Sequence, residues 1–389
     1  MTENICAGKF SSSYSNSESD ESMSLEVDLA AWGFEASDAS FKVPDSKMKM
    51  TTLKFFAKTR FGDLYSAVLH SPSDKVTEKT SPTHFLKIFF RQAGESQQEM
   101  ETRATREFVL TKFLNQQERM DFVERRSSDA CIDFALCGET FFKKEDRVAI
   151  SFPFENGVDL RTFLKDVFYK SYGTQGRSKY QREALAVAQL LINSVARLNA
   201  LGVYHGNVDP LNILVSYENR LGAFPRVKKV RLMDFDYACM DLDPKLAELV
   251  QTSHFQKLLS KSGLVQDTYD DITCPLLVSE YSPNTRFRDP DCGNRTSRAF
   301  DPNLSMLTRR RLARKIWQKY ERYAAACVVQ ILFDPEQLNN KVVEIRTTER
   351  TSPQIDELLL AMTDADVDSR PEYESIVSAL DLIRLLNGW

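Results

Sequence analysis

The sequence predicts an α+β protein, a β-rich part followed by a larger, mainly helical one. Three observations carry this expectation. Short β-prone runs separated by polar turns fill residues 49–156, apolar residues recur at helical spacing after Gly157, and the texture changes near Asn156. The 389 residues are 42% apolar and 27% charged, which suffices for a large core in one or two globular domains.

Taken in order, residues 1–48 read as a flexible Ser/acidic tail. The run Phe10 to Asp28, FSSSYSNSESDESMSLEVD, has too few apolar side chains to offset its ordering entropy. Residues 49–156 form the β-rich part. Strands are expected at LKFFAKT, DLYSAVL and HFLKIFF, then a charged helix over Gln98 to Leu114, then a second pair of strands ending with RVAISFPF. Residues 157–389 form the mainly helical part. Its helix Arg182 to Leu201 carries Leu190, Leu191, Val195, Leu198 and Leu201 at helical spacing, and ILVS with VRLMDF reads as a hairpin. Further helices are expected over Tyr323–Phe333, Ile355–Met362 and Ile376–Leu386.

Composition excludes several function classes. A net charge of -4, from 51 Lys and Arg against 55 Asp and Glu, gives no basic surplus for bulk nucleic-acid binding. No stretch reaches the roughly 18 apolar residues that a bilayer span needs. The opening MTENICAGKF lacks the basic-then-apolar layout of a secretory signal, so the chain as written is expected to be soluble and cytoplasmic. Seven cysteines without CxxC spacing read as reduced or buried thiols. Were a signal peptide trimmed, Cys131 with Cys137 or Cys274 with Cys292 would be plausible bridges.

The sharpest motif is YHGNVDPLNILV, Tyr204 to Val215, followed by LMDFDY, Leu232 to Tyr237. It resembles the protein-kinase catalytic loop H-R-D-x-x-x-x-N and the metal-binding D-F-G. Upstream, FGDLYSAV (Phe61 to Val68) is similar to the end of a glycine-rich loop, Lys87 to the family's strand lysine and Glu107 to its helix glutamate. Downstream, ERYAAACVVQILF (Glu321 to Phe333) resembles the buried helix of the second lobe, and DVDSRP carries Arg370. The resemblance spans residues 50–386 and implies a bilobal protein-kinase-like fold. It also implies that Gly62, Leu64, Lys87, Glu107, Asn212 and Asp234 would bind nucleotide, with Asn212 and Asp234 holding Mg2+.

Departures from the family pattern decide the functional expectation. Asn207 stands where the family's proton-accepting aspartate belongs, and an amide is no base near neutral pH. Asp209 replaces a lysine, so a negative charge is expected to face the transferring phosphate. Ala57 and Thr59 replace two loop glycines, hindering close approach of backbone N–H groups to phosphates. Asp236 replaces the glycine of D-F-G, either as a third metal-shell oxygen or, the favoured reading, as a solvated side chain. His205 is expected to pack and hydrogen-bond, and Lys87 with Glu107 could be a structural strut alone. Arg370 would pair with a glutamate that is here Asn284 of Ser282-Pro283-Asn284, and the second lobe's aspartate is Glu321, with Tyr320 one residue away. The basic run TRRRLARK reads as a solvated helix face. Asp241 to Asp301 reads as a long activation-segment insert that binds a partner or covers the protein itself.

Among kinase-like families the chain is most similar to the secreted rhoptry-type pseudokinases of apicomplexan parasites. HGN also occurs in plant receptor-like pseudokinases, whose flanking residues are less similar. The rhoptry resemblance implies a location outside the parasite cytosol, in its vacuole or the host. The expected function is a pseudokinase acting as a protein-interaction or allosteric module, with weak ATP and Mg2+ binding and lost phosphotransfer. The alternative is an atypical, weakly active Ser/Thr kinase that relies on positioning without a base.

Overall fold

The computed structural model describes residues 40–42, 47–59, 61–76, 80–125, 134–144, 147–171, 176–219, 224–240 and 303–388. Most of the Ser/acidic tail, the insert Asp241 to Asp301 with Ser282-Pro283-Asn284, and Cys6, Cys131, Cys274 and Cys292 lie outside the described residues. The architecture is mixed α+β, with a sheet in the N-terminal part and helices later.

Strands β1 (Ser40–Lys42), β2 (Lys49–Lys58), β3 (Gly62–His70), β4 (His84–Phe89), β5 (Thr140–Lys144) and β6 (Arg147–Pro153) form one antiparallel sheet in the order β1-β2-β3-β4-β6-β5. Ser40 of β1 pairs with Thr51, so regular structure starts inside the span read as tail. Side chains alternate across a strand, and this sheet uses both faces. Leu86 and Ile88 of β4 pack with Tyr65, Ala67, Phe142 and Ala149 on one face. Phe85 and Phe89 pack on the other with Leu64, Val148, Ile150 and Phe152. Lys87, between them in the sequence, is therefore aimed at the second face.

Helix α1 (Gln97–Arg125) covers that second face with Met100, Ala104 and Phe108. Its start is a reciprocal cap. The Glu99 N–H donates to the Ser96 hydroxyl at 3.2 Å, and the Ser96 N–H donates to the Glu99 carboxylate at 2.7 Å. The spacing of Ala104, Glu107, Phe108 and Thr111 places Glu107 on the buried stripe. The helix runs on to Arg125, beyond the Leu114 at which the sequence pattern fades.

The C-terminal part comprises β7 (Val158–Asp159), α2 (Leu160–Phe163), α3 (Arg177–Ala200), β8 (Val203–Tyr204), β9 (Ile213–Glu218), β10 (Arg226–Leu232), β11 (Cys239–Met240), α4 (Met306–Phe333), α5 (Pro353–Met362) and α6 (Tyr373–Leu386). Helix α3 lies at the centre, packed on β10, α4 and α6 through Leu191, Ile192, Val195 and Leu198. The last turns of α4, from Ala324, are wholly buried and apolar on nearly every side; the one polar residue, Gln330, is buried too and its amide donates to the Arg346 carbonyl. Its first turns carry the basic run, where Arg311 and Lys315 are exposed. Cys137, Cys239 and Cys327 are buried. No helix of the described residues is long and apolar enough to cross a membrane.

Two short pairings bring the motif loops together. Strand β8 pairs with β11, Tyr204 opposite Cys239, and β9 pairs with β10, Ile213 opposite Leu232. Residues 205–212 and 233–238 are thus held side by side, and the Met233 N–H donates to the Asn212 carbonyl at 2.9 Å. From below, Glu321 of α4 accepts from the Gly206 N–H at 2.8 Å and from the Asn199 amide. Tyr320 instead joins Trp317 and Tyr204 in an aromatic cluster. Arg370 donates to the Asp364 and Lys319 carbonyls and lies over the Tyr323 ring.

Burial pushes the Glu321 carboxyl up from 4.5 to about 7, against the lowering effect of its Asn199 and loop N–H donors. The folded protein therefore holds this proton more tightly than the unfolded chain. The resulting stabilisation is complete below pH about 4.5 and is lost as the pH rises through about 7. A Glu321→Gln variant, which cannot ionise, should gain on the wild type by up to about 3 kcal/mol between roughly pH 5 and pH 8. Urea unfolding of both proteins across that range measures the gap; a constant gap would mean that Glu321 stays ionised in the fold.

Candidate functional site

Lys87 is the centre of the site. Its ammonium is 2% exposed and donates to Glu107 Oε2 at 2.7 Å, to Asp236 Oδ1 at 2.7 Å, and to Asp234 Oδ1. One cation from the sheet thus meets one carboxylate from α1 and two from the loop after β10. Burial pulls the Lys87 ammonium toward losing its proton, but the charges of Asp234, Asp236 and Glu107 outweigh it and raise its pKa. Burial pushes Asp234 up to about 7 and Asp236 up to about 6, with the Asp236 charge adding to the rise at Asp234 and the Glu107 charge to that at Asp236. Three carboxylates face a single ammonium, so the cluster carries an excess of negative charge.

This corrects the expectation for Asp236. Its side chain is buried, not solvated, because the Lys87 ammonium offers a charge-assisted hydrogen bond that bulk solvent would otherwise supply. Its Oδ2 is buried with no hydrogen-bond donor upon it. Asp209 also departs from expectation. It does not line the cleft; its carboxylate accepts from the Leu211 N–H at 2.8 Å and caps the 3-10 turn Pro210–Asn212. An Asp two residues ahead of an unsatisfied N–H favours this local bond over an exposed position.

The cleft beside Lys87 is lined by Leu64, Lys87, Glu107, Asn212 and Asp234 among the sequence-selected residues. Leu136, Phe152, Leu211 and Met233 supply an apolar wall that the motif reading did not select. They sit on elements whose apolar runs gave no sign of which face would line a cavity. Gly62 stands apart from the lining. A Cβ there would lie 2.4 Å from the Ile88 carbonyl oxygen, so the close approach of β3 to β4 explains this glycine. The Asn212 amide nitrogen donates to the Asn207 carbonyl at 3.0 Å, which leaves Oδ1 as the atom it can offer a cation.

The remaining motif residues are structural in their contacts. His205 Nε2–H donates to the Met233 carbonyl at 3.0 Å and its Nδ1 accepts from the Asn207 N–H at 3.3 Å, which fixes the neutral tautomer. Burial lowers its pKa to about 4, and its ring packs on Phe235. Asn207 Oδ1 is buried with no hydrogen-bond partner and, as an amide, takes no proton. Asp234 has φ 65°, the one positive φ on a non-glycine among the described residues, a strained backbone held by the surrounding bonds.

Carboxylate oxygens and the Asn212 Oδ1 are donor types that a hard divalent cation takes. The Glu107, Asp234 and Asp236 oxygens that lie within 4.8 Å of one another are closed on the Lys87 ammonium, however, so Asp234 would have to turn from Lys87 to hold such an ion.

Gly206 holds the two loops in contact. Its φ is +74°, and a Cβ would lie 2.5 Å from the Tyr237 carbonyl oxygen, a backbone atom with little freedom to move. Gly206→Ala should therefore destabilise the fold by about 1–3 kcal/mol, read as a lower urea midpoint. An unchanged midpoint would mean that the loops separate without cost. Compared with known proteins, the sequence matches no protein-family model and no curated protein.

Proposed function

We propose that this chain is a pseudokinase: a bilobal protein-kinase-like protein that no longer transfers phosphate and acts through protein partners. The observation that carries the reading is the convergence of Lys87, Glu107, Asn212 and Asp234 on one cleft next to a loop whose base position is Asn207. These four side chains are the types that phosphoryl transfer uses to hold phosphates and metal. The step they would serve lacks its proton acceptor. Asn207 is an amide, His205 is neutral with its ring nitrogens engaged, and Asp209 is turned into a loop cap. Mg2+ would be held by Asp234 and the Asn212 Oδ1, where it would supply positive charge to the phosphates of ATP. Drawing Asp234 toward the metal would release one Lys87 donor, so nucleotide binding is expected to need the ion.

Purified protein should label neither itself nor generic substrates above a Lys87→Ala background. Robust labelling that disappears in Lys87→Ala would replace this reading with an atypical active kinase.

ATP binding is expected to be weak and metal-dependent, in the millimolar-to-micromolar range, about -4 to -8 kcal/mol. A thermal-shift titration with and without Mg2+ reads this through the linkage of binding to stability. Asp234→Ala should abolish the metal-dependent part of the shift, and an equal shift in both proteins would show that Asp234 holds no metal.

A further inference from the structure

The cleft has two unlike halves. Its apolar half is made of Leu64, Leu136, Phe152, Leu211 and Met233, side chains of the kind that line sites for apolar rings. Its polar half has little to offer an anion. An ammonium has three N–H donors, and Lys87 spends all three on carboxylates. The turn between β2 and β3 is closed on itself, since the Thr59 N–H and hydroxyl both donate to the Gly62 carbonyl, at 2.9 and 2.8 Å. Next to it, the Phe61 ring packs on Tyr237, with ring centroids 5.4 Å apart, and lies 4.0 Å from the Arg103 guanidinium, which is itself paired with Glu95. Among the described residues, the Lys87 and Arg103 cations and the Thr59 donors are thus committed within the protein. Lys58 lines the exposed rim, where water and salt screen its charge.

We propose that this cleft binds a planar heteroaromatic ligand without phosphate, a nucleoside or base, in preference to a nucleoside triphosphate. Asp236 sets the preference by occupying Lys87. It is the carboxylate that adds negative charge where the phosphates would lie. The inference rests on the proposed reading of the cleft as one of nucleotide-binding type, and narrows it to the ligand the cleft takes without metal.

The test is isothermal titration calorimetry of the full chain with adenosine, AMP and ATP in metal-free buffer, on the wild type, Asp236→Asn and Asp236→Gly. Wild-type affinity should fall with each added charge, with adenosine at least about tenfold tighter than ATP. Asp236→Asn keeps the shape and removes the charge, and should shift the adenosine-to-ATP ratio toward ATP by about tenfold or more. Asp236→Gly should shift it the same way and serves should the Asn variant fail to fold. ATP binding as tightly as adenosine, no binding of either, or an unchanged ratio in a folded Asp236 variant would each overturn the proposal. None of these results touches the pseudokinase reading, which stands or falls on Lys87-dependent phosphotransfer.

Discussion

A single buried ammonium organises this molecule. Lys87 belongs to the sheet, Glu107 to the helix that covers the sheet, and Asp234 and Asp236 to the loop that follows β10. Each charge alone would be costly to bury, because a low-dielectric interior cannot replace the lost hydration. Held together they satisfy one another, so the helix, the sheet and the loop are constrained to one relative placement. The same cluster gives the polar end of the cleft three carboxylates against one ammonium.

A second anchor keeps the loops where the cluster needs them. Glu321 is buried in the helical part and spends its carboxylate on the Gly206 N–H and the Asn199 amide. The pairing of β8 with β11 then sets the 205–212 segment against the 233–238 segment, and the positive φ of Gly206 allows the contact with Tyr237. Arg106 of α1 adds a tie from the other side, donating twice to the Ala238 carbonyl. The strained backbone of Asp234 persists because it is held from both directions.

Much of this was legible in the sequence. Alternation in HFLKIFF put Lys87 on the face of Phe85 and Phe89, and the helical stripe of TREFVLTKFL put Glu107 opposite. The interval between Asn207 and Asn212 and the segment LMDFDY marked two loops that do lie side by side. The misreadings concern charged side chains whose partners are distant or unexpectedly local. Asp236 looked solvated because the ammonium that buries it is 149 residues away in the chain. Asp209 was expected in the cleft, yet the N–H it caps is two residues away. Beside these, the crowding of Gly62 against the Ile88 carbonyl across the strand pair was also not legible in the sequence.

By itself the sequence determined most of the elements, though not their full extents, since periodicity and capping are local properties carried by neighbouring side chains. It also determined that residue 207 is an amide, and hence that this loop position lacks a proton acceptor. Only the tertiary structure decided which charges share one site. Electrostatic energy depends on separation through space and on the depth of burial, and neither quantity is written in the order of residues along a chain. Lys87 was a candidate phosphate ligand in the sequence; in the fold it is already surrounded by Glu107, Asp234 and Asp236, and that arrangement governs what the cleft can hold.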